Sequence, residues 1–220
     1  MPCAQREPTS QAVETRCPSR GLKRCADILL ALLIGVISLP LFLVCAAAVR
    51  LGSKGPVFYR APRLGCDLRP FCIWKFRTMV EEGDTVLEQH LAEHPGRRLE
   101  WESRFKLRHD PRVTRVGRFL RMTSLDELPQ LWNVLRGEMS LVGPRPIIEA
   151  EKPLYGDALW VFSRTPPGIT GLWQVSGRSH TDYAERVRLD VWYVRHWRLS
   201  LDLWILVKTV HTVLFCRGAY

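Results

Sequence analysis

Residues 121–146 read RMTSLDELPQLWNVLRGEMSLVGPRP and bring acidic, basic and proline-marked positions into one short span. Two adjacent carboxylates, Asp126 and Glu127, stand just before Pro129. Proline favours the first turn of a helix, because its missing amide is not needed there. We therefore expect a helix over residues 129–135, with both acids just outside its start.

This placement suggests a chemical role for the two acids. The positive end of a helix lowers the pKa of nearby carboxyl groups. An ionised carboxylate can act as a nucleophile or hold Mg²⁺. Ser124 and Glu127 also have the spacing of a capping box, in which both side chains hold the helix start. The structural role and the catalytic role are compatible.

A proline-flanked arginine follows the same stretch. Arg145 lies between Pro144 and Pro146, after Gly143, so we expect a stiff extended loop that orients the guanidinium at little entropic cost. The planar fork of arginine matches phosphate oxygens. The pattern predicts a phosphate contact.

Further positive charges stand nearby in the sequence. Lys75 and Arg77 belong to the segment KFRTM. Other arginines recur every three residues, a spacing that drifts around a helix, so we expect some of them to face solvent. These are Arg112, Arg115, Arg118 and Arg121.

Charge and cysteine content narrow the classes of protein. The chain has 220 residues and a formal net charge of +10. Such basic proteins bind nucleic acid, anionic membranes or phosphorylated small molecules. The seven cysteines form no CxxC pair. Their odd number argues against a secreted disulfide scaffold, and we expect reduced, cytosol-facing thiols.

An uncharged apolar run covers residues 28–49. It holds about 22 residues, roughly 33 Å as a helix, which is enough to cross a bilayer. Pro40 lies near its middle and should break or kink the helix. Ser38 could satisfy the backbone groups that the proline leaves free. We take Ser38 and Pro40 as the candidate break.

Basic residues flank both ends of this run. Lys23 and Arg24 stand before it, and Arg50, Lys54, Arg60 and Arg63 stand after it. Lys and Arg clusters mark the cytoplasmic side of a membrane. A helix that enters and leaves on one face fits this symmetry, and a kinked span remains an alternative. Asp27 directly precedes the run and is expected to cap the helix start. Pairing of its carboxylate with nearby basic residues is the alternative.

The remaining chain predicts an α+β protein that is mainly helical. We predict a polar tail over residues 1–20, a membrane segment over residues 21–55 and a folded domain over residues 56–220. We predict extended segments at 56–59 and 71–74, and helices at 84–93, 116–120, 183–193 and 201–215. Aromatic and basic residues border the last helix, as in interfacial helices. A buried core helix would look similar.

Several ordered motifs resemble those of the bacterial sugar transferases, the monotopic polyprenyl-phosphate phosphoglycosyl transferases. The resemblance runs from about Lys23 to Tyr220. It is carried by KRCADILLALL, KGPVFYR, KFRTM, DPRVTRVGRFLR, TSLDELPQLWNVLRGEMSLVGPRP, PGITGLWQVSGR and LDVWYV. The segment EWESRFKLRHDPR and the C-terminal sequence are most similar to the branch that transfers galactose- or glucose-1-phosphate to undecaprenyl phosphate.

The resemblance implies a reaction and roles for particular residues. A UDP-sugar gives its sugar-1-phosphate to a polyprenyl phosphate, and UMP leaves. In this family the first acid of the pair is the nucleophile, which corresponds to Asp126, and the second, Glu127, helps to hold Mg²⁺. Arg121, Arg145, Lys75 and Arg77 match basic site positions, and Asp190 and Asp202 match acidic positions near the site.

The resemblance also favours re-entry of the apolar helix and places the catalytic domain on the cytoplasmic face of the bacterial inner membrane. The expected partners are the UDP-sugar, polyprenyl phosphate and the lipid bilayer, without nucleic acid, and a homodimer stays open. The reaction would start exopolysaccharide, O-antigen or capsule synthesis. Two alternatives are a membrane-anchored Mg²⁺-dependent phosphohydrolase and a non-enzymatic basic membrane adaptor.

Overall fold

The computed structural model describes residues 20–94, 96–98, 101, 107, 110–177 and 182–214. The helices are α1 Arg20–Gly52, α2 Gly83–Glu93, α3 Arg115–Met122, α4 Leu131–Arg136, α5 Lys152–Tyr155, α6 Leu159–Ser163, α7 Leu172–Ser176, α8 Tyr183–Arg195 and α9 Leu199–Leu214. The strands are β1 Phe58–Leu64, β2 Pro70–Phe76, β3 Ser140–Val142 and β4 Gly168–Thr170. Short 3-10 turns lie at Cys66–Leu68, Leu125–Gln130, Glu149–Glu151 and Gly156–Ala158.

The predicted class, mainly helical α+β, is confirmed. The helices predicted at 84–93, 116–120, 183–193 and 201–215 correspond to α2, α3, α8 and α9. The predicted extended segments fall on β1 and β2, which are longer than expected. The predicted tail lies outside the described residues, except that Arg20 already begins α1.

Helix α1 is long and apolar enough to cross a membrane, by length and composition. It runs continuously from Arg20 to Gly52, with Pro40 inside it. Ser38 Oγ lies 3.5 Å from the carbonyl oxygen of Gly35, to which it donates. The structure therefore gives one helix where we expected two separated by a break, and re-entry into the membrane stays a prediction.

The start of α1 is fastened to the domain by polar contacts. Lys23 Nζ lies 2.6 Å from Asp202 Oδ2, and both side chains are buried. Asp27 Oδ1 accepts hydrogen bonds from Ser140 Oγ at 3.0 Å and from the amide of Leu141 at 3.1 Å. The predicted capping role of Asp27 is wrong, because the helix begins a full two turns earlier and the carboxylate bonds to the domain instead.

Both halves of α1 pack on the domain. Ala31 belongs to the main core, which draws on β1, β2, β3 and helices α4, α6, α7, α8 and α9. Cys45 and Val49 pack with Phe76 and Leu120 in a second cluster. The other side of the helix is an exposed apolar surface. It comprises Leu22, Leu29, Leu32, Leu33, Val36, Ile37, Leu39, Leu41, Leu43, Val44 and Leu51.

Strands β1 and β2 form an antiparallel hairpin whose register matters for the site. Ala61 pairs with Ile73, and Tyr59 pairs with Lys75. Directly opposed side chains share one face of an antiparallel pair, and alternate residues return to that face. Lys75 therefore projects from the same face as the buried Ile73.

Asn133 of α4 joins this hairpin to the helix that follows the acids. Its side chain is fully buried; Nδ2 donates to the carbonyl of Cys72 at 2.8 Å, and Oδ1 accepts from the amide of Trp74 at 3.0 Å. Gly137 ends α4 with φ +82°, the left-handed conformation that glycine commonly adopts after the last helical residue. The helix is thus held in register with β2.

Strands β3 and β4 are parallel and only three residues each, and they were not expected from the sequence. Their close approach depends on glycine. A Cβ on Gly143 would lie 2.6 Å from the carbonyl oxygen of Pro166, and one on Gly168 would lie 2.1 Å from the amide of Gly143. This contact fixes the start of the loop that carries Arg145.

Candidate active site

The two acids lie within a 3-10 turn, Leu125–Gln130, that leads directly into α4. The acids precede α4, as expected, but they are themselves part of a helical 3-10 turn. Ser124 adopts the left-handed conformation, φ +57°, and its side chain caps nothing. The predicted capping box is not formed; instead the amide of Glu127 donates to the carbonyl of Ser124 at 3.2 Å.

Lys75 of β2 reaches both acids. Its Nζ lies 2.8 Å from Glu127 Oε1 and 3.4 Å from Asp126 Oδ2. The hairpin register directs this side chain towards the 3-10 turn, and the three side chains are largely buried. One cation is thus shared unequally between two adjacent carboxylates.

Arg145 approaches from the opposite loop. Its Nη2 lies 3.5 Å from Glu127 Oε1. The loop is held at its base because the amide of Gly168 donates to the carbonyl of Pro144 at 2.8 Å and the amide of Gly143 donates to that of Thr170 at 2.9 Å. The predicted stiff loop therefore has backbone support as well as its prolines.

The two acids have opposite electrostatics. Burial raises the pKa of Glu127, but the charges and hydrogen bonds of Lys75 and Arg145 outweigh burial and lower that pKa to about 2. Burial raises the pKa of Asp126, and the smaller effect of Lys75 does not offset it, while the charge of Glu127 raises it further. The expected lowering is correct for Glu127 and wrong for Asp126.

Arg121 stands at the end of α3, with its charge near Asp126. Burial raises the pKa of Asp126, and the charge of Arg121 opposes this rise only weakly. Its Nε donates to Thr78 Oγ1 at 2.9 Å. Arg112 forms an ion pair with Asp110 at 2.7 Å, and Arg115 and Arg118 are exposed. Of the four regularly spaced arginines, the structure brings Arg121 to the acids.

Three other candidates make their contacts elsewhere. Arg77 Nη2 donates to the carbonyl and the hydroxyl of Ser53, at 2.8 and 2.9 Å, and so holds the loop between α1 and β1. Asp202 pairs with Lys23 and accepts from Tyr193 at 2.7 Å. Arg77 therefore fastens the loop after the end of α1, and Asp202 fastens the start of α1.

Asp190 lies in a buried network behind Arg145. It accepts a hydrogen bond from the Tyr155 hydroxyl at 2.8 Å, and Arg186 Nε lies 4.0 Å away. Burial raises the pKa of Asp190 to about 7, against the opposing charges of Arg186 and Arg145. Arg186 also bonds Glu151 at 3.1 Å, and Glu151 accepts from the amide of Ile148 in the loop after Arg145.

The sequence reasoning missed two residues of the cleft beside the acids. Arg63 and Gln130 line it together with Glu127 and Arg145. We had treated Arg63 only as part of the basic flank of the apolar run. The alternation along β1 could have revealed it, because Arg63 lies two residues from the buried Ala61 and therefore on the same face of the strand.

The carboxylate oxygens of Asp126 and Glu127 fit part of the coordination shell of a magnesium ion, with the remaining ligands supplied by substrate. Among the described residues, no group of three or more His, Cys, Asp or Glu side chains could hold a metal by itself. The ion pairs of Asp126 and Glu127 within the described chain fall on Oδ2 and Oε1, which leaves Oδ1 and Oε2 for other ligands. Mg²⁺ commonly binds through one or two carboxylates together with substrate phosphates and water.

Sequence comparison identifies the class to which this fold and site belong. Residues 18–216 match the family described as bacterial sugar transferase. The match covers most of the chain, and the chain therefore belongs to the bacterial sugar transferase family.

Sequence identities to individual relatives narrow the similarity within this family. The chain is 50% identical over 202 residues to the UDP-galactose-lipid carrier transferase of Erwinia amylovora. It is equally similar to the undecaprenyl-phosphate galactose phosphotransferase of Salmonella typhimurium. These alignments cover 92% of this chain but 42% of the relatives. The exopolysaccharide production protein ExoY of Rhizobium meliloti is 48% identical over 198 residues, covering 90% of this chain and 88% of the relative.

Proposed function

We propose that this protein transfers a hexose-1-phosphate, galactose or glucose, from a UDP-sugar to undecaprenyl phosphate and releases UMP. The observation that carries the proposal is the adjacent pair Asp126 and Glu127, which Lys75 contacts at 3.4 and 2.8 Å, with the Arg145 guanidinium 3.5 Å from Glu127. The names of the relatives from Erwinia and Salmonella specify a UDP-sugar and a polyprenyl acceptor for those proteins.

The reaction proceeds in two displacements at phosphorus. A carboxylate oxygen of Asp126 attacks the sugar-bearing phosphorus, the bond to the bridging oxygen breaks, and UMP leaves with that oxygen. A phosphate oxygen of the polyprenyl acceptor then attacks the same phosphorus and releases the carboxylate. The mixed anhydride on Asp126 is about as energetic as the diphosphate bond that it replaces, so neither displacement is strongly uphill.

The other side chains stabilise and orient the phosphates. Glu127 stays ionised and would help to hold Mg²⁺, which when bound would neutralise charge on the phosphoryl oxygens. Arg145 presents a guanidinium beside Glu127, and Lys75 balances the charge of the two acids. Because transfer of a phosphoryl group depends mainly on positioning and charge stabilisation, these roles account for the composition of the site.

Membrane re-entry of α1 is part of the proposal. Lys23 and Arg24 at its start contact Asp202 and the carbonyls of Val134 and Leu135, and its end packs on Phe76. A helix that crossed the bilayer would separate its two ends by the membrane. Contacts of both ends with one domain therefore support entry and exit on one face. In the membrane, this proposal requires the continuous helix α1 to bend at Pro40.

Helix α9 gives a second element suited to the interface. Trp204, Leu203, Val207 and Val210 are exposed apolar residues, and Lys208 Nζ lies 5.7 Å from the centroid of the Trp204 ring. Apolar and basic residues combined on one helix favour the boundary of an anionic bilayer. The site would then face a lipid phosphate at the cytoplasmic surface of the inner membrane, where an exopolysaccharide chain begins.

Release of UMP in nanodiscs tests this function. UDP-galactose and UDP-glucose are supplied with and without undecaprenyl phosphate, and with Mg²⁺ or EDTA. We expect Mg²⁺-dependent turnover that requires the lipid acceptor and yields a lipid-linked sugar phosphate. Hydrolysis at an equal rate without acceptor would indicate a phosphohydrolase, and no nucleotide release under any condition would indicate a non-enzymatic membrane protein.

A further inference from the structure

Arg63 lies in the cleft without an obvious partner for its charge. It lines the cleft with Ile73, Gln130, Glu127 and Arg145. Its Nη1 donates to the neutral carbonyl of Pro62 at 2.7 Å. Within the described part of the chain, it forms no ion pair at 4.0 Å or less, while Lys75 and Arg145 both do.

The hairpin holds Arg63 in this direction. Arg63 and Lys75 occupy alternate positions of one face, because Arg63 pairs with Phe71 and Tyr59 pairs with Lys75 in an unbroken register. Arg60 belongs to the opposite face, where it pairs with Trp74 and stacks on its ring at 5.1 Å. The same strand thus carries one arginine towards the cleft and one away from it.

The surroundings of Arg63 disfavour its charge. It is partly buried, and both burial and the nearby charge of Arg145 lower its pKa, with Glu151 and Glu127 acting in the opposite direction. Two like charges held at one partly desolvated cleft repel each other unless an anion lies between them. A ligand with two adjacent negative groups would relieve this repulsion.

Three cations differ in how they contact the two acids, and two of them, Arg145 and Arg63, line the cleft. Lys75 contacts both Asp126 and Glu127, Arg145 contacts Glu127 alone, and Arg63 contacts neither although it shares the cleft. A phosphorus under attack by Asp126 lies near the first two cations. A second phosphate attached to it, on the side away from Asp126, would lie near Arg63.

We propose that Arg63 binds the phosphate that leaves with the nucleoside, while Arg145 faces the phosphate that is transferred. This assignment rests on the proposed function and adds a residue to it. Arg63 then stabilises the charge that appears on the UMP phosphate when the bridging bond breaks, and it also holds UMP after the transfer.

The test compares Arg63→Gln with Arg60→Gln as a matched control on the opposite face of the same strand. The wild-type protein and both variants are placed in nanodiscs. The KM for the UDP-sugar and the inhibition constant of UMP are measured under acceptor-saturated turnover, and UMP binding is measured directly by calorimetry. We expect Arg63→Gln to raise the KM and the UMP constants together, by roughly 10- to 100-fold, the effect of one lost charge-assisted hydrogen bond. Arg60→Gln should leave all three near the wild-type values.

Other results would contradict either the assignment of Arg63 or the proposed function. A raised KM with unchanged UMP constants would place Arg63 on the transferred phosphate and overturn the assignment, as would wild-type constants in Arg63→Gln. A wild-type protein that binds no UMP and releases none would refute the proposed function itself. Arg63→Lys, which keeps the charge in a fold-compatible form, should recover part of the UMP affinity; loss equal to that of Arg63→Gln, with an unchanged thermal midpoint, would contradict a phosphate contact.

Discussion

Asp126 and Glu127 are neighbours in sequence but differ in the environment that each carboxylate meets. Glu127 receives Lys75 at 2.8 Å and Arg145 at 3.5 Å, and this environment stabilises its ionised form. Asp126 is buried and lies farther from Lys75, at 3.4 Å. The less stabilised carboxylate is the better nucleophile and the more stabilised one is suited to a lasting role as a metal ligand, so the geometry gives a physical reason for the two proposed roles.

The buried carboxyl group of Asp190 provides a test of how burial couples protein stability to pH. Its pKa is about 7 in the folded protein, against 3.8 for an ordinary aspartate. The folded state therefore binds the proton more tightly, and stability should fall as pH rises from about 4 to 7 and then level off. Asp190→Asn keeps an acceptor for the Tyr155 hydroxyl and should remove this loss, adding up to about 4 kcal/mol at pH 8.

Thermal midpoints in nanodiscs at pH 5 to 8 check this prediction. Asp157→Asn, at an exposed turn, removes the same charge without burial and serves as the control. A difference between Asp190→Asn and wild type that does not change with pH would contradict the account of this network.

Among the secondary-structure elements, α3 depends on a glycine for its position. A Cβ on Gly117 would lie 2.1 Å from the carbonyl oxygen of Thr78, which is a backbone atom that cannot simply turn aside. Thr114 caps the helix through the amide of Gly117 at 2.8 Å. Thr78 also holds Arg121, because its hydroxyl accepts a hydrogen bond from Arg121 Nε. The glycine thus sets the distance between α3 and the residues after β2.

Gly117→Ala should therefore displace α3 and destabilise the protein by about 1–3 kcal/mol, as overpacking in a tight contact usually does. It should also slow turnover, because Arg121 would shift away from Asp126. Gly21→Ala is the matched control; it lies in α1 with nothing within 4 Å of the added methyl group. That change should be neutral or stabilising by about 1 kcal/mol. Equal thermal midpoints and rates for the two variants would refute this role of Gly117.

The elements differ in how far the sequence could predict them. Helices such as Gly83–Glu93 and Tyr183–Arg195 carry a local apolar period, and the end of α4 has its glycine. Strands Ser140–Val142 and Gly168–Thr170 are too short to show a period, and their pairing joins remote segments. The capping box failed for a similar reason, since nothing local indicates the left-handed backbone of Ser124.

The residues of the site also differ in how far the sequence could predict them. The adjacent acids and the proline-flanked Arg145 were visible in one stretch of sequence. The hairpin register, by contrast, brings Lys75 to the acids and Arg63 to the cleft. Arg77 has the residue type that a phosphate site needs, and Asp202 is an acidic candidate. In the structure they contact Ser53 and Lys23, and no spacing in the sequence reports these tertiary contacts.

For the whole molecule, the arrangement of α1 determines which side of the membrane holds each part. Tags on the two ends of the full chain should both resist protease added outside intact spheroplasts, and both should be digested after permeabilisation. Pro40→Ala restores a backbone donor within α1 and should allow a fraction of molecules to span the bilayer, exposing the N-terminal tag. Digestion of that tag in wild-type spheroplasts would contradict re-entry.

The most direct test of the central claim is a search for a sugar phosphate attached to Asp126. The full chain in nanodiscs is mixed with Mg²⁺ and a radiolabelled UDP-sugar without lipid acceptor, quenched, and analysed by intact mass and peptide mapping. We expect one hexose phosphate per chain, located on Asp126, discharged on addition of undecaprenyl phosphate and missing from Asp126→Asn. Labelling of Asp126→Asn to the wild-type extent, or acceptor-dependent turnover by that variant, would contradict the assignment of Asp126 as the nucleophile.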